Sequence, residues 1–517
     1  MIAASANTFL AALASLVFVL FLRAPRALAV RIAALWACSA AVAFAVANTA
    51  IVFVVFAVLL LTLAPSNAGD RTRFFLATFF AIPDLYTVRI PFPGLNYLVD
   101  LDFVSICALI VLAPAAIKSI GKPKPKGLAL LDTLVAVYIV VNAALALRDI
   151  AFTSAIRTGV TDALAIWLPY FCLTRTIRSP DDLRATLLAL LQGLAALAVI
   201  GLISAAEKWN YYAHLMPGSL NYKFFSDFRF GILRIAATMN GPPLGVLMGV
   251  GAALTLQQFA RKRAPVLVLA GMFAVFSFVC FATGSRGGWA GAAAALVVFA
   301  GATLASPGLR KFSLVSGGLA SFAVAIALTT GQASVDDQFG TFSYRQKLMQ
   351  VGMEQVGKAP LFGVPNVTEL PEFQPLRQGE GIVDLVNMYL QISLYKGLIG
   401  LAVFLLPIVV AAGLGLRALA RTDAERRDPA IRQFRSDAAV SLALTLGMLV
   451  MAFTTSHTKL MFVIFFLAAA LSAAAYTASR NVEAPPPAPP PADEDATTSK
   501  TPPPSPRPYG ARFFRNV

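Results

Sequence analysis

Long apolar runs, broken by short basic or polar turns, set the pattern of this chain. Crossing a bilayer core of about 30 Å takes about 20 residues, and about fifteen segments fit that template. They lie near 8–22, 29–47, 49–64, 74–83, 101–117, 127–147, 159–176, 183–205, 238–258, 264–283, 287–305, 312–330, 386–416, 438–455 and 459–479. The fourth is short and breaks at Pro83. Residues 83–100, with Pro83, Pro91, Pro93 and several aromatics, read as a segment lying in the membrane interface. The predicted class is an all-α polytopic membrane protein of about 12–15 transmembrane helices.

Composition agrees with this pattern. Of 517 residues, 58% are hydrophobic and 13% charged, and the mean hydropathy is +0.73. Soluble domains do not have such values. A net charge of +16 would ordinarily raise nucleic acid as a partner. Here the basic residues fall in short clusters between apolar runs, which is the signature of topology and excludes a binding stripe. Arg23 and Arg26 follow the first run, so the N-terminus is expected outside and the C-terminus in the cytoplasm. Arg71/Arg73, Lys118 to Lys126, Arg175/Arg178/Arg184, Arg261 to Arg263, Arg310/Lys311 and the cluster from Arg417 to Arg435 then all fall inside. The four cysteines sit within apolar runs and form neither a ligand set nor a disulfide framework. Residues 1–480 read as one multi-span domain holding a large periplasmic loop at 331–385. Residues 481–517 are Pro-rich and polar and read as a disordered cytoplasmic tail.

Candidate chemistry gathers on the outer face. Ala282-Thr283-Gly284-Ser285-Arg286-Gly287-Gly288-Trp289 is a tight turn between two spans, which pins Arg286 at the membrane boundary. Arg234 precedes another break, Asn240-Gly241-Pro242-Pro243, and falls at a similar depth. Residues 343–357 of the large loop read as a helix with Arg345 in its first turn. A guanidinium fork matches phosphate oxygens and keeps its charge, so converging outer arginines suit a diphosphate. The bland alternative is pairing with acids such as Asp162 and Asp227, or snorkelling to headgroups. Glu380, Asp384 and Asn387 lead into the long span near 386–416. Either carboxylate could take a proton from a sugar hydroxyl, although on spacing alone all three fit helix caps or first-turn residues. His214 and His457, the only histidines, lack metal-ligand company. No phosphate-binding loop, dinucleotide fingerprint, nucleophile elbow or zinc motif occurs, so neither metal nor cofactor is expected.

These segments occur in an order that resembles the O-antigen ligase and Wzy-type polysaccharide polymerase superfamily. The resemblance is carried by Arg234 with its Asn-Gly-Pro turn, Ser285-Arg286-Gly287-Gly288 and the loop from Ser343/Arg345 to Pro360-Leu361-Phe362-Gly363-Val364. Asn387-Met388-Tyr389-Leu390-Gln391 and Lys396-Gly397-Leu398-Ile399-Gly400-Leu401 complete it. It implies a GT-C-like glycosyltransferase of the bacterial inner membrane, acting on the periplasmic side. The implied donor is an undecaprenyl-pyrophosphate-linked glycan, with membrane lipid as surroundings and a chain-length regulator or export proteins as further partners. By the same likeness Arg234 and Arg286 hold the pyrophosphate, Arg345 matches the loop arginine, and Asn387 aligns at the substrate side. Ligases of this type carry histidine where this chain has Val386, which shifts the expectation to a polymerase with Glu380 or Asp384 as base. The alternatives are a ligase acting on another acceptor, a lipid-linked oligosaccharide flippase, and a scaffold subunit of an export complex.

Overall fold

A computed structural model of the chain describes residues 2–482, apart from 85, 94, 122, 124, 216–227, 230, 304–340, 378–382 and 424–427. The contacts separate Met1–Val482 from Glu483–Val517. The second unit lies outside the described residues, and with it all of the expected tail at 481–517 except its first two residues, which end the helix Lys459–Val482; Glu380 and the expected span at 312–330 lie outside them too.

The apolar runs form helices that end where a polar side chain can take up free backbone N–H groups. Asn48 accepts from Ala50 and Ile51 N–H at 3.0 and 3.2 Å. Ser179 and Asp182 form a reciprocal capping box ahead of Pro180–Glu207. Among the described residues, eight helices are long and apolar enough to cross a membrane. They are Ile2–Phe21, Arg26–Ala45, Ala129–Ala146, Pro180–Glu207, Gly241–Ala260, Met388–Arg421, Pro429–Ala452 and Lys459–Val482. Thr49–Leu63, Phe103–Ile117 and Val266–Ala282 are shorter apolar helices. The chain is an all-α polytopic membrane protein with little sheet.

Two local expectations change. Residues 83–100 are not a featureless interfacial segment: Thr87–Phe92 pairs antiparallel with Leu95–Asp102, placing Arg89 opposite Asp100. Val88, Ile90, Tyr97 and Val99 favour extended backbone, and Pro93 favours a reversal between the strands. The short fourth segment is the helix Ala68–Thr78, begun by an Asn67 cap that accepts from Gly69 N–H at 2.8 Å. Although only 11 residues long, it starts at one end of the bundle, where the Arg71 guanidinium donates to Ile110 and Val111 carbonyls. Its continuation reaches the other end, where Thr238 donates to the Phe80 carbonyl and Asp84 accepts from Leu460 N–H.

Contacts sort the charged residues into the same two sets that the charge pattern separated. One end joins Arg73 to Asp70 and Asp182, Arg175 to Asp132, and Arg261 to Asp437 across 2.9 Å in a fully buried pair. The other end holds Asp84, Asp102, Lys459, Asp384, Arg286 and Arg345. Between the ends, helices meet backbone to backbone. A Cβ on Gly245 would lie 2.8 Å from Gly288 Cα, and one on Gly291 2.6 Å from the Gly447 carbonyl. This contact draws Gly241–Ala260, Arg286–Thr303 and Pro429–Ala452 into one tight group.

The helix Thr341–Lys358, matching the one expected near 343–357, caps the site end with a small core of its own. Leu348, Val356, Val367, Phe373 and Leu376 pack there on Leu390 and Leu394. The Met388–Arg421 helix is broken at Gly397, whose φ of 66° is open mainly to glycine. Backbone groups freed by the break find partners in the loop Pro360–Val364. Leu398 N–H donates to Pro360 O and Val364 N–H to Leu394 O, both at 2.7 Å. Arg148 clasps both sides, donating to the carbonyls of Phe362 and Tyr395 at 2.6 and 2.7 Å.

Gly397→Ala, which needs a strained φ and drives a Cβ into the Leu361 backbone, is expected to destabilise the protein by at least about 1–3 kcal/mol. Gly413→Ala, in the same helix with nothing nearby, should be neutral or stabilising by up to about 1 kcal/mol. Thermal melts of the detergent-solubilised variants check the contrast; equal melting temperatures would refute it.

Candidate functional site

The site grows from the turn Thr283–Ser285. Gly284 takes a φ of 57°, and a Cβ there would meet Arg234 Cγ at 3.0 Å and Arg229 Cδ at 3.4 Å. Both arginine stems therefore lie flat on this glycine. Arg229 Nη1 donates to the Gly284 carbonyl at 2.7 Å and Arg234 Nε to that of Thr283 at 3.4 Å. The pair Phe228–Arg229 and Ile232–Leu233 forms a two-residue β-ladder that presents Arg229 beside Arg234. Asn210 fixes the exit by donating to the Arg234 carbonyl at 2.8 Å. Ile235 N–H then bonds Ala282 O at 3.0 Å, locking the strand to the end of Val266–Ala282.

Two residues further on, Arg286 opens the helix Arg286–Thr303, with Ser285 Oγ accepting from Gly288 N–H at 3.1 Å. A helix N-terminus carries partial positive charge and ordinarily disfavours a cation. An arginine there, with two more stacked on the preceding turn, makes a place for an anion. Arg345, in the second turn of Thr341–Lys358, comes to the same place. Burial lowers its guanidinium pKa first, the Arg286 charge lowers it further, and Asp384 opposes both. All four arginines are half-buried.

The segment before Met388 closes the site. Asp384 holds three elements together: its carboxylate accepts from Ser456 Oγ and from Val386 N–H, and its carbonyl accepts from Tyr344 Oη at 3.0 Å. Asn387 caps the long helix, its side-chain oxygen accepting from Tyr389 and Leu390 N–H at 3.0 and 3.1 Å. With Arg345, Leu348, Met349, Val386 and Leu390 it also lines a small pocket. The turn Phe453–Thr458 is the last wall. Thr454 Oγ1 lies against Gly287, where any Cβ would collide with it. His457 N–H donates to Gln391 Oε1 at 2.8 Å.

The structure thus places Arg234, Arg286, Arg345, Asp384 and Asn387 around one end of the bundle. Arg229, Ser456 and the backbone of His457 belong there too, although no motif marks them. Arg229 stands in no turn or break signal of the kind that singles out Arg234 and Arg286. Ser456 and His457 are 72 and 66 residues from their partners, and nothing local marks such pairs.

Residues 271–405 match the family model described as O-antigen ligase. Over this segment the chain is similar to the O-antigen ligase family. The segment carries Arg286, Arg345, Asp384 and Asn387, while Arg229, Arg234 and the turn Phe453–Thr458 come from outside its bounds. A comparison with curated proteins finds no match. The polytopic fold and this family match together support a membrane glycan transferase of the ligase and polymerase type.

Burial, aided by the Lys396 charge, moves the His457 imidazole down from 6.5 to about 4. A group that resists protonation when folded stabilises fully above its unfolded value and loses that contribution as pH falls through the interval to the folded one. The melting-temperature advantage of the wild type over His457→Gln should therefore shrink between about 6.5 and about 4. A gap that stays constant over this range would contradict the assignment.

Proposed function

We propose that this protein moves a growing glycan from an undecaprenyl-diphosphate carrier onto a hydroxyl of a lipid-linked acceptor sugar, at the extracytoplasmic face. The observation that carries this reading is the gathering of Arg229, Arg234, Arg286 and Arg345 around one glycine turn. That turn lies at the end of the bundle opposite the basic clusters of the positive-inside pattern. Departure of the glycan leaves charge on a diphosphate. Fixed guanidinium groups and a helix N-terminus aimed at that charge stabilise the transition state more than the ground state. The carrier's isoprenoid tail stays in lipid while its head reaches the arginines, which suits a site at the membrane boundary. Asp384 stands beside Arg345 as the carboxylate of the site, and Asn387 faces the pocket below it. With this face outside, the N-terminus is extracytoplasmic and residue 482 cytoplasmic.

The family description favours a second reading, in which the same donor site serves a ligase acting on another acceptor. The two differ in what a deletion strain accumulates: single lipid-linked repeat units for a polymerase, finished polymer lacking its anchor for a ligase. Units trapped inside would instead mark a flippase.

Arg286→Ala and Arg234→Ala should each lower transfer by about 10²–10³-fold while the protein remains in the membrane. Lysine at either position should restore only part, since it lacks the bidentate fork. Polymer length and amount in complemented deletion strains measure this. Normal polymer from both alanine variants removes the donor-site reading.

A further inference from the structure

The end of the bundle opposite the arginine turn holds a second cationic site. The loop after Phe103–Ile117, the turn ahead of Pro180–Glu207 and the end of Lys459–Val482 meet there around a cleft of about 360 Å³. Pro123 and Pro125 fix two φ angles of the loop. The turn is set by the capping box, in which Asp182 Oδ2 also accepts from Arg178 N–H at 3.3 Å. The last helix is tied to that turn by Asn481, which donates to the Arg178 carbonyl, and by Thr477, which donates to that of Ile177 at 3.4 Å. Each of the three segments brings one cation to the cleft: Lys126, Arg178 and Arg480. Arg178 reaches across to the Pro123 carbonyl and Arg480 to that of Lys126, each at a long 3.5 Å.

A neighbouring cleft of about 310 Å³ supplies the contrast. It shares Arg178, but its Arg73 pairs with Asp70 and Asp182 and its Arg175 with Asp132. The larger cleft has no acidic residue in its lining, and among the described residues no carboxylate pairs with Lys126, Arg178 or Arg480. A cavity walled by one sign of charge focuses its field and concentrates counter-ions. Two guanidinium forks and an ammonium suit the oxygens of a phosphate.

The flanks of the cleft say which phosphate. Ala129–Ala146 starts three residues after Lys126 and is the least buried of the eight spans. Its Leu130 and Val140 are 61% and 66% exposed, and on the other flank Ile117 and Ile120 are 67% and 71% exposed. In a membrane these apolar side chains lie against acyl chains, which a free phosphate does not have. We propose that the cleft binds the phosphate of an anionic glycerophospholipid, whose acyl chains run along Ala129–Ala146. Basic pockets between spans hold acidic headgroups in this way. The headgroup bridges three segments that guanidinium contacts alone join only by long bonds to carbonyls. The site lies at the far end from the arginine turn and does not rest on the glycan-transfer reading.

Native mass spectrometry of the purified full-length protein tests this, with phosphatidylglycerol, phosphatidylcholine or inorganic phosphate as the titrant. The first phosphatidylglycerol should bind in preference to phosphatidylcholine. Arg178→Gln with Arg480→Gln should weaken it about 30-fold, and Lys126→Gln about fivefold. Arg23→Gln with Arg26→Gln removes as much charge from two exposed residues outside the cleft and should change binding by less than about threefold. If the Arg178 and Arg480 pair fails to fold, Lys126→Gln, at an exposed side chain, decides. Equal losses from the cleft pair and the control pair overturn the proposal in favour of diffuse surface charge. Equal binding of the two phospholipids also overturns it, as does inorganic phosphate binding that matches phosphatidylglycerol, which marks a soluble-anion site.

Discussion

Close backbone contact among three helices is the constraint on which the site depends. Lipid chains are as apolar as leucine, so burial alone gives membrane helices little reason to associate. Gly245, Gly288, Gly291 and Gly447 let Gly241–Ala260, Arg286–Thr303 and Pro429–Ala452 approach until main chains touch. This fixes the turn bearing Arg286 and the turn bearing His457 at one depth, with Thr454 wedged on Gly287. A side chain at any of these glycines would separate the two turns before it disturbed any arginine directly.

A second junction couples the extramembrane cap to the span beneath it. The loop Pro360–Val364 supplies the hydrogen bonds that the Met388–Arg421 helix forgoes at Gly397, and Arg148 ties the two together from a third element. Directly below, Lys396, Asn142 and Asp162 form a buried polar chain between helices. The cap that carries Arg345 is thus anchored to the same helix whose first turn is capped by Asn387 and whose Gln391 holds His457.

The helical spans were legible because hydropathy over about 20 residues reports directly on the cost of placing backbone in lipid. The depth of Arg234 and Arg286 was legible for the same reason, since each borders a span. The break at Gly397 was not, because the apolar run continues through it and a single φ leaves no mark on hydropathy. The hairpin at 87–102 was obscured by its prolines, which argue against a helix without specifying a strand partner. For Asn387 the sequence offered both a cap and a ligand, and the capping bonds are the part the structure displays. Val386, at the position where the resembled ligases carry histidine, was legible as a departure from the sequence itself. The turn Phe453–Thr458 reaches this end through Gln391 and Asp384, a placement that only long-range contacts reveal.

The last wall of the site is contributed by the hairpin between Pro429–Ala452 and Lys459–Val482, more than 150 residues after Arg286 in the chain. During synthesis the arginine turn leaves the ribosome long before Thr454 exists to rest on it. A nascent or prematurely terminated polypeptide therefore carries the cationic cradle without its closing strap. The wall around the arginine turn is complete only once the final helical pair has inserted.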